Sequence, residues 1–532
     1  MLVKKWWLQL WRGNSPGLTL FSISFISALL LSIPVFYVII RSLSAGGDRW
    51  LRLLDERIPD LLLRTLSLTF MVTITTVIIG VLAAWLIERT DLPLKGYWRW
   101  LLAIPLVIPP YIGALAYIIV FGPRGFLWRL WRDNEWLAAI MDYPFDIYSF
   151  WGVWLILSLF TFPYVFLIVS SSLRKISRSY EEVARSQGIS SFAIFFKVYL
   201  PFLRPAIGAG ALLVSLYVIT DFGAIAMLRY LTFTSAIYYN ISSYDNVSAT
   251  VLSTVLFAIT LLLLWFHSRF TKSRKYHQSS KGLVMAEDLT LGKWKGIATA
   301  FVVFLFTLSV VLPIIVLIYW SYIGFSTGAV DHSFIEYTVN TFQVAGMAAL
   351  ISMIIALPIM YLKSRHPSMM STAIDRLAYS GYALPGVIVA LGIIFFFNQY
   401  IPSLYNTVLL VALAFVIRFL PQVLQSGEAS LSLVSPKLDE AARSLGLRPW
   451  KVVLRVILPS IFPSLLAGGA LVFVSSIKEL PATLLLRPPG FETIATRIWV
   501  ETREDVYYLA APLALLIIVI SILPLKYLLK KY

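Results

Sequence analysis

A chain of 532 residues, 59% of them hydrophobic and only 13% charged, has the composition of a multi-pass membrane protein and not of a soluble domain. Its net charge of +17 is accounted for by membrane orientation and not by nucleic acid, because the Lys and Arg are scattered over many short segments between apolar runs. Cysteine is absent, which excludes disulfides and thiolate metal sites.

A bilayer core needs about 20 apolar residues per helix. At that length, spans are expected near 18–41, 65–87, 100–121, 148–172, 203–228 and 248–267, then near 297–323, 340–362, 377–398, 404–426, 463–486 and 507–529, about twelve in all. Lys4, Lys5 and Arg12 precede the first without a small-residue cleavage site, so it reads as a retained span. The third is interrupted by Pro105, Pro109 and Pro110, and the ninth carries Pro385. Trp6, Trp7, Trp11, Trp98 and Trp100 fall where interface belts are expected. The loop 122–146, with Trp128, Arg129, Trp131 and Arg132, is long enough for a short interfacial helix. The polar stretch 268–296 carries Arg269, Lys272, Arg274, Lys275, Lys281, Lys293 and Lys295 and reads as a linker between a first half, 1–267, and a second, 297–532. An even number of spans puts both termini and this linker on one side. That side holds most of the basic residues, so it is expected to be cytoplasmic.

One pattern occurs twice. Glu182-Val183-Ala184, Gly188 and Leu200-Pro201 return 258 residues later as Glu440-Ala441-Ala442, Gly446 and Leu458-Pro459. Arg185 and Ser186 return as Arg443 and Ser444, and Pro205 as Pro463. Each copy reads as a short helix closed by its glycine, then a second helix carrying Phe192, Ile194, Phe195 and Val198, or Trp450, Val452, Val453 and Val456. Pro201 and Pro459 are expected to mark the start of the next span. Further upstream the offset changes and the match weakens. With six spans each, the two halves run in the same direction, the parallel form of repeat.

Asp221 and Glu479 occupy the same repeat position near the ends of their spans. An ionisable group there faces a cavity or finds a partner. One reading makes them an acidic pair at a pathway mouth, with Tyr217 and Tyr230 as nearby oxygens. The other has each paired locally, Glu479 with Lys478 or Arg487 and Asp221 with Arg229. His267, His277, His332 and His366 are scattered without ligand spacing. No Gly-x-x-x-x-Gly-Lys-Ser/Thr phosphate loop is present.

The doubled loop resembles the coupling loop of ATP-binding-cassette importer permeases of the binding-protein-dependent kind, whose signature is Glu-Ala-Ala, three residues, Gly, nine residues, Ile, one residue, Leu-Pro. Val183 stands for the first alanine of copy one, and Val198 and Val456 for the isoleucine. The resemblance implies an all-α integral membrane protein with the type I importer permease fold, in the bacterial inner membrane. It further implies two ATPase subunits docked through Glu182, Ala184, Arg185, Gly188 and Phe192 in one loop, and through Glu440, Ala441, Ala442, Arg443, Gly446 and Trp450 in the other. ATP and Mg would reside on those partners, this chain would bind no cofactor and catalyse nothing, and a substrate-binding protein would dock on the opposite face. Residues 478–493, from Lys478-Glu479-Leu480-Pro481 to Glu492-Thr493, are similar to the matching stretch of fused ferric-iron permeases. Fused permeases for thiamine, or for phosphonate-type anions, are the alternatives within the class. An ion-gradient carrier would need titratable groups near the midplane, which the spans nearly lack. A membrane scaffold would leave the doubled loop unused.

Overall fold

The computed structural model describes residues 11, 16–134, 136, 145–176, 178–188, 194–270 and 288–530. Among these the regular structure is helical, apart from one bridge pairing Thr90 with Leu289. The first half holds α1 (Leu18–Leu43), α2 (Gly47–Glu56), α3 (Ile58–Arg89), α4 (Lys95–Leu101), α5 (Pro110–Phe121), α6 (Phe126–Arg132), α7 (Phe150–Lys175), α8 (Arg178–Ser186), α9 (Leu200–Thr220), α10 (Gly223–Met227), α11 (Phe233–Ser242) and α12 (Asn246–Phe270). The second holds α13 (Lys295–Phe306), α14 (Leu312–Ser326), α15 (Ser333–Arg365), α16 (Met369–Tyr379), α17 (Gly386–Tyr400), α18 (Val408–Leu431), α19 (Pro436–Ser444), α20 (Pro449–Val452), α21 (Leu458–Ile477), α22 (Pro481–Leu486), α23 (Ile494–Arg503) and α24 (Tyr507–Lys530).

Ten helical runs among the described residues are long and apolar enough to cross a bilayer, and α16 with α17 forms a sharply bent eleventh. Apolar helix also covers Tyr507–Ile522, so helices stand at all the expected positions. Several boundaries differ. The third span begins at Pro110 and not near 100, because Pro109 holds an extended ψ of 138° and Pro105 sits in a separate 3-10 turn. The ninth is broken where Pro385, at ψ 141°, starts a new helix.

The largest correction concerns Pro201 and Pro459. They do not begin their spans, which run unbroken over Phe195–Thr220 and Pro449–Ile477. A proline inside a helix lacks the N–H, and its ring strikes the carbonyl four residues back. Each helix accommodates this with one wide π-turn, at Phe195–Tyr199 and Val453–Ile457. The Leu200 amide then bonds Phe195 O, and the Leu458 amide Val453 O, five residues back. The same device precedes Leu312-Pro313, where Thr307–Val311 forms a third π-turn.

The chain forms two compact units that interleave its halves. One comprises residues 1–49, 237–254 and 330–498, the other 50–236, 255–329 and 499–532. Within the first, α15, α18 and α21 pack together, and α1 lies on α15, α16 and α17. Within the second, α3, α7 and α9 pack together, and α14 lies on α5 and α24. Glycines let these helices approach closely, as suits association in lipid. A Cβ on Gly210 would stand 2.9 Å from Val165 Cα, and one on Gly468 would stand 2.8 Å from Val423 Cα. Both residues of that contact recur at the 258-residue offset. Leu63, Phe70 and Ile78 of α3 point outward, a face suited to acyl chains.

Candidate functional site

The second copy of the repeated loop is the more fully described. Ser435 Oγ accepts from the Lys437 amide at 3.3 Å, and Pro436 takes the first helical position, so α19 begins with a side-chain cap. It ends at Gly446, whose φ is +84°. The Gly446 amide bonds Arg443 O at 2.9 Å and the Leu447 amide bonds Ala442 O at 3.2 Å. This two-bond left-handed cap is the conformation glycine takes without strain. The chain then reverses, and α20 with its π-turn packs back on α19. Burial divides the helix: Asp439 and Ala442 are buried, while Glu440, Ala441, Arg443 and Gly446 are exposed. Trp450 is also exposed, and Leu445 presents itself at the tip.

In the first copy α8 carries Glu182, which is exposed, and Ala184, which is buried. Gly188 again has positive φ, +76°. The Arg185 side chain and Phe192 lie outside the described residues. In both loops, therefore, the glutamate is outward, the alanine at the third position of the signature is inward, and the glycine closes the helix.

Two arginines that the sequence reading passed over hold these loops. Arg365, the last residue of α15, donates from Nε to Asp439 Oδ2 at 3.2 Å and from Nη2 to Val434 O at 2.9 Å. Tyr361 donates to the same carboxylate oxygen at 2.8 Å. Arg89, the last residue of α3, donates from Nη2 to Leu173 O at 2.5 Å and to Ile176 O at 2.9 Å. Its guanidinium also lies 4.9 Å from the centre of the Tyr199 ring. The signal was present in the sequence, since Leu86-x-x-Arg89 matches Leu362-x-x-Arg365, but at an offset of 276 and not 258.

The local partners expected of Asp221 and Glu479 are not the ones the structure gives them. Asp221 Oδ2 accepts from the Ile225 amide at 3.2 Å, and Glu479 Oε1 accepts from the Ala482 amide at 3.3 Å. Each carboxylate thus caps the short helix, α10 or α22, that follows the break in its span. Glu479 forms its ion pair with Arg418 of α18, while Arg487 pairs with Glu492. Arg229 lies over the Tyr148 ring, 4.8 Å away. Tyr217 packs against Tyr164, and Tyr230 against Phe150. Among the described residues no group of three or more His, Cys, Asp or Glu could hold a metal ion.

Residues 122–134 contain the expected short helix, α6, with Phe126 and Leu130 exposed. Arg124, Trp128, Arg129 and Arg132 line a cavity of about 260 Å³ with Trp320 and Asp505. Arg124 pairs with Asp505 at 3.0 Å.

The chain matches the family described as binding-protein-dependent transport system inner membrane component over residues 76–276 and 348–527. It is 34% identical over 511 residues, 95% of this chain and 96% of the relative, to the Fe(3+)-transport system permease protein FbpB 2 of Haemophilus influenzae. Identity to the putative ferric transport system permease protein FbpB 1 of that organism is 25% over 405 residues, 72% of this chain and 63% of the relative. Identity to the sulfate transport system permease protein CysT of Escherichia coli is 26% over 267 residues, 48% of this chain and 92% of the relative.

Proposed function

The chain belongs to the family of binding-protein-dependent transport system inner membrane components, the permeases of ABC importers, and on that premise we propose that it carries ferric iron and is driven through its two repeated loops. Two ATPase subunits dock on residues 178–201 and 436–459 at the cytoplasmic face, where both termini and the 268–296 linker also lie. A substrate-binding protein delivers the cargo at the other face. ATP and Mg are handled by the ATPase subunits, and this chain has no catalytic role of its own.

One observation carries the coupling assignment. Glu440 and Arg443 are exposed on a helix whose Asp439 and Ala442 are buried, so a charged surface rests on a fixed base. Glu182 above buried Ala184 repeats that arrangement. An exposed glutamate on a rigid helix suits an arginine on a partner. Of the acidic pathway candidates, Asp221 is favoured over Glu479, because Arg418 already neutralises Glu479. Tyr217 and Tyr230 supply phenolic oxygens on the same unit, and a hard Fe(III) cargo prefers oxygen donors.

Support for iron over an oxyanion rests on the near full-length likeness to a ferric permease, against a half-length likeness to a sulfate permease. The decisive experiment reconstitutes the chain with its ATPase and binding protein in vesicles. ATP-dependent uptake of labelled Fe(III), undiminished by excess thiamine, phosphonate or sulfate, is the expected result. Uptake of one of those competitors instead would replace the cargo assignment. Failure of any ATPase chain to co-purify would remove the coupling assignment.

A further inference from the structure

Arg89 and Arg365 stand 276 residues apart, and each is the last residue of a long core helix, α3 or α15. Each reaches a backbone carbonyl at the same repeat position, Ile176 O or Val434 O, immediately before a repeated loop. From there the two diverge. Arg365 continues to the Asp439 carboxylate inside α19, the residue beside Glu440. Arg89 continues to the Tyr199 ring, in the π-turn that closes the other end of its loop. Arg89 is buried, and the Arg365 and Asp439 side chains are only 8% and 7% exposed.

We propose that Arg89 and Arg365 are positioning residues that clamp each coupling loop to the end of a core helix, so that loop and helix move as one body during transport. The inference rests on the coupling role proposed above. The physical case begins with the guanidinium, whose planar fork can serve two acceptors at once and keeps its charge when buried. A single arginine therefore ties the start of the loop to a second point within it. A buried, multiply bonded ion pair is strongly destabilised when one partner is removed, so the joint resists sliding. Tyr361, one turn earlier on α15, adds a second bond to Asp439 at 2.8 Å and fixes the carboxylate from the same helix. Packing alone would leave α19 free to slip along α15. Hydrogen bonds from two residues of one helix, to Asp439 and to Val434 O just ahead of α19, do not. With the loop clamped, a push on Glu440 displaces α15 directly, and α15 packs on α18 and α21. Arg89 ties α3 to the two ends of its own loop instead, at Ile176 O and at the Tyr199 ring.

The absence of cysteine makes a covalent test clean. Arg365→Cys and Asp439→Cys are introduced together, and the complex with its ATPase and binding protein is reconstituted. Before cross-linking, uptake per ATP hydrolysed should fall by about tenfold or more, the scale of a lost inter-site coupling. Joining the two thiols with a short bifunctional reagent should restore most of that ratio, since a covalent link replaces the clamp. The proposal is overturned if the unlinked variant couples as well as wild type, or if the linked form stays uncoupled. Should the cysteine pair fail to fold, the exchange Arg365→Asp with Asp439→Arg is measured against each single change. Recovery of uptake per ATP in the double variant supports the clamp, and additive loss sinks it. Failure of the underlying coupling role looks different, because wild type would then show no ATP-dependent uptake in the same vesicles.

Discussion

Arg418 of α18 donates from Nη1 to Oε2 of Glu479, 61 residues further along the chain, and the two side chains are only 16% and 7% exposed. Charges this far from water depend on each other, and removing one leaves the other uncompensated. Glu479→Gln or Arg418→Met alone should therefore cost about 3–5 kcal/mol of stability. Combining Arg418→Met with Glu479→Gln should recover most of that loss. Thermal unfolding of the purified chain measures both, and simple addition of the two single effects would mean the pair does not act as a unit.

Glu440 tests the docking surface separately from the fold. Its side chain is exposed, so Glu440→Arg should leave unfolding unchanged within about 0.5 kcal/mol. ATPase association and ATP-dependent uptake should both collapse. A variant that still binds the ATPase normally would remove Glu440 from the contact.

At Gly446, a Cβ would meet nothing within 4 Å, yet φ is +84°. The penalty for Gly446→Ala is then backbone strain alone, about 1–2 kcal/mol. Gly446→Asn should cost less, because asparagine tolerates this region better. Amide exchange across α19 reports the difference, and the same ranking is expected at Gly188, where φ is +76°.

Enlarging the glycines at the helix crossings should be worse than straining a turn. Gly210→Leu and Gly468→Leu would force a side chain into the Val165 and Val423 backbones. Each overpacking should cost about 1–3 kcal/mol. If either variant unfolds at the wild-type temperature, the helices are not in contact there.

A pH-dependent tether joins the end of α3 to the segment before α13. Asp91 accepts from the Leu291 amide at 2.9 Å and from Lys295 Nζ at 3.0 Å. The backbone amide first, and then the lysine, hold its carboxyl below the ordinary 3.8. A depressed carboxylate stabilises above its unfolded value and loses that contribution as pH falls through the folded one. Amide exchange at Leu291 should accordingly accelerate as pH drops below about 4, beyond the intrinsic trend. Asp91→Asn should abolish that step.

Much of the architecture can be read from the chain. Apolar runs mark the helices, and the loop glycines fall where their positive φ requires them. The burial of Ala184 and Ala442 beneath the exposed glutamates follows the spacing of the doubled motif. What escaped reading has physical reasons. Pro201 and Pro459 look like helix starts because a proline breaks the regular α-helical ladder, whereas one wide turn lets the helix pass through. Glu479 has Lys478 beside it, yet its partner Arg418 lies on another helix, and pairing by tertiary approach leaves no local signature. Arg89 and Arg365 were hidden because the repeat offset is 276 in that region and 258 at the loops. A longer connection between the third and fourth spans of the first half separates the two registers.

Gly386 opens α17 just after the bend, and a methyl group there would strike the Glu479 carboxylate, with Arg418 Nη1 only 2.9 Å away. The bare hydrogen at this position is thus a spacer that lets two opposite charges touch. Any larger substituent would wedge them apart. The ion pair and the bend therefore depend on the same missing side chain at residue 386.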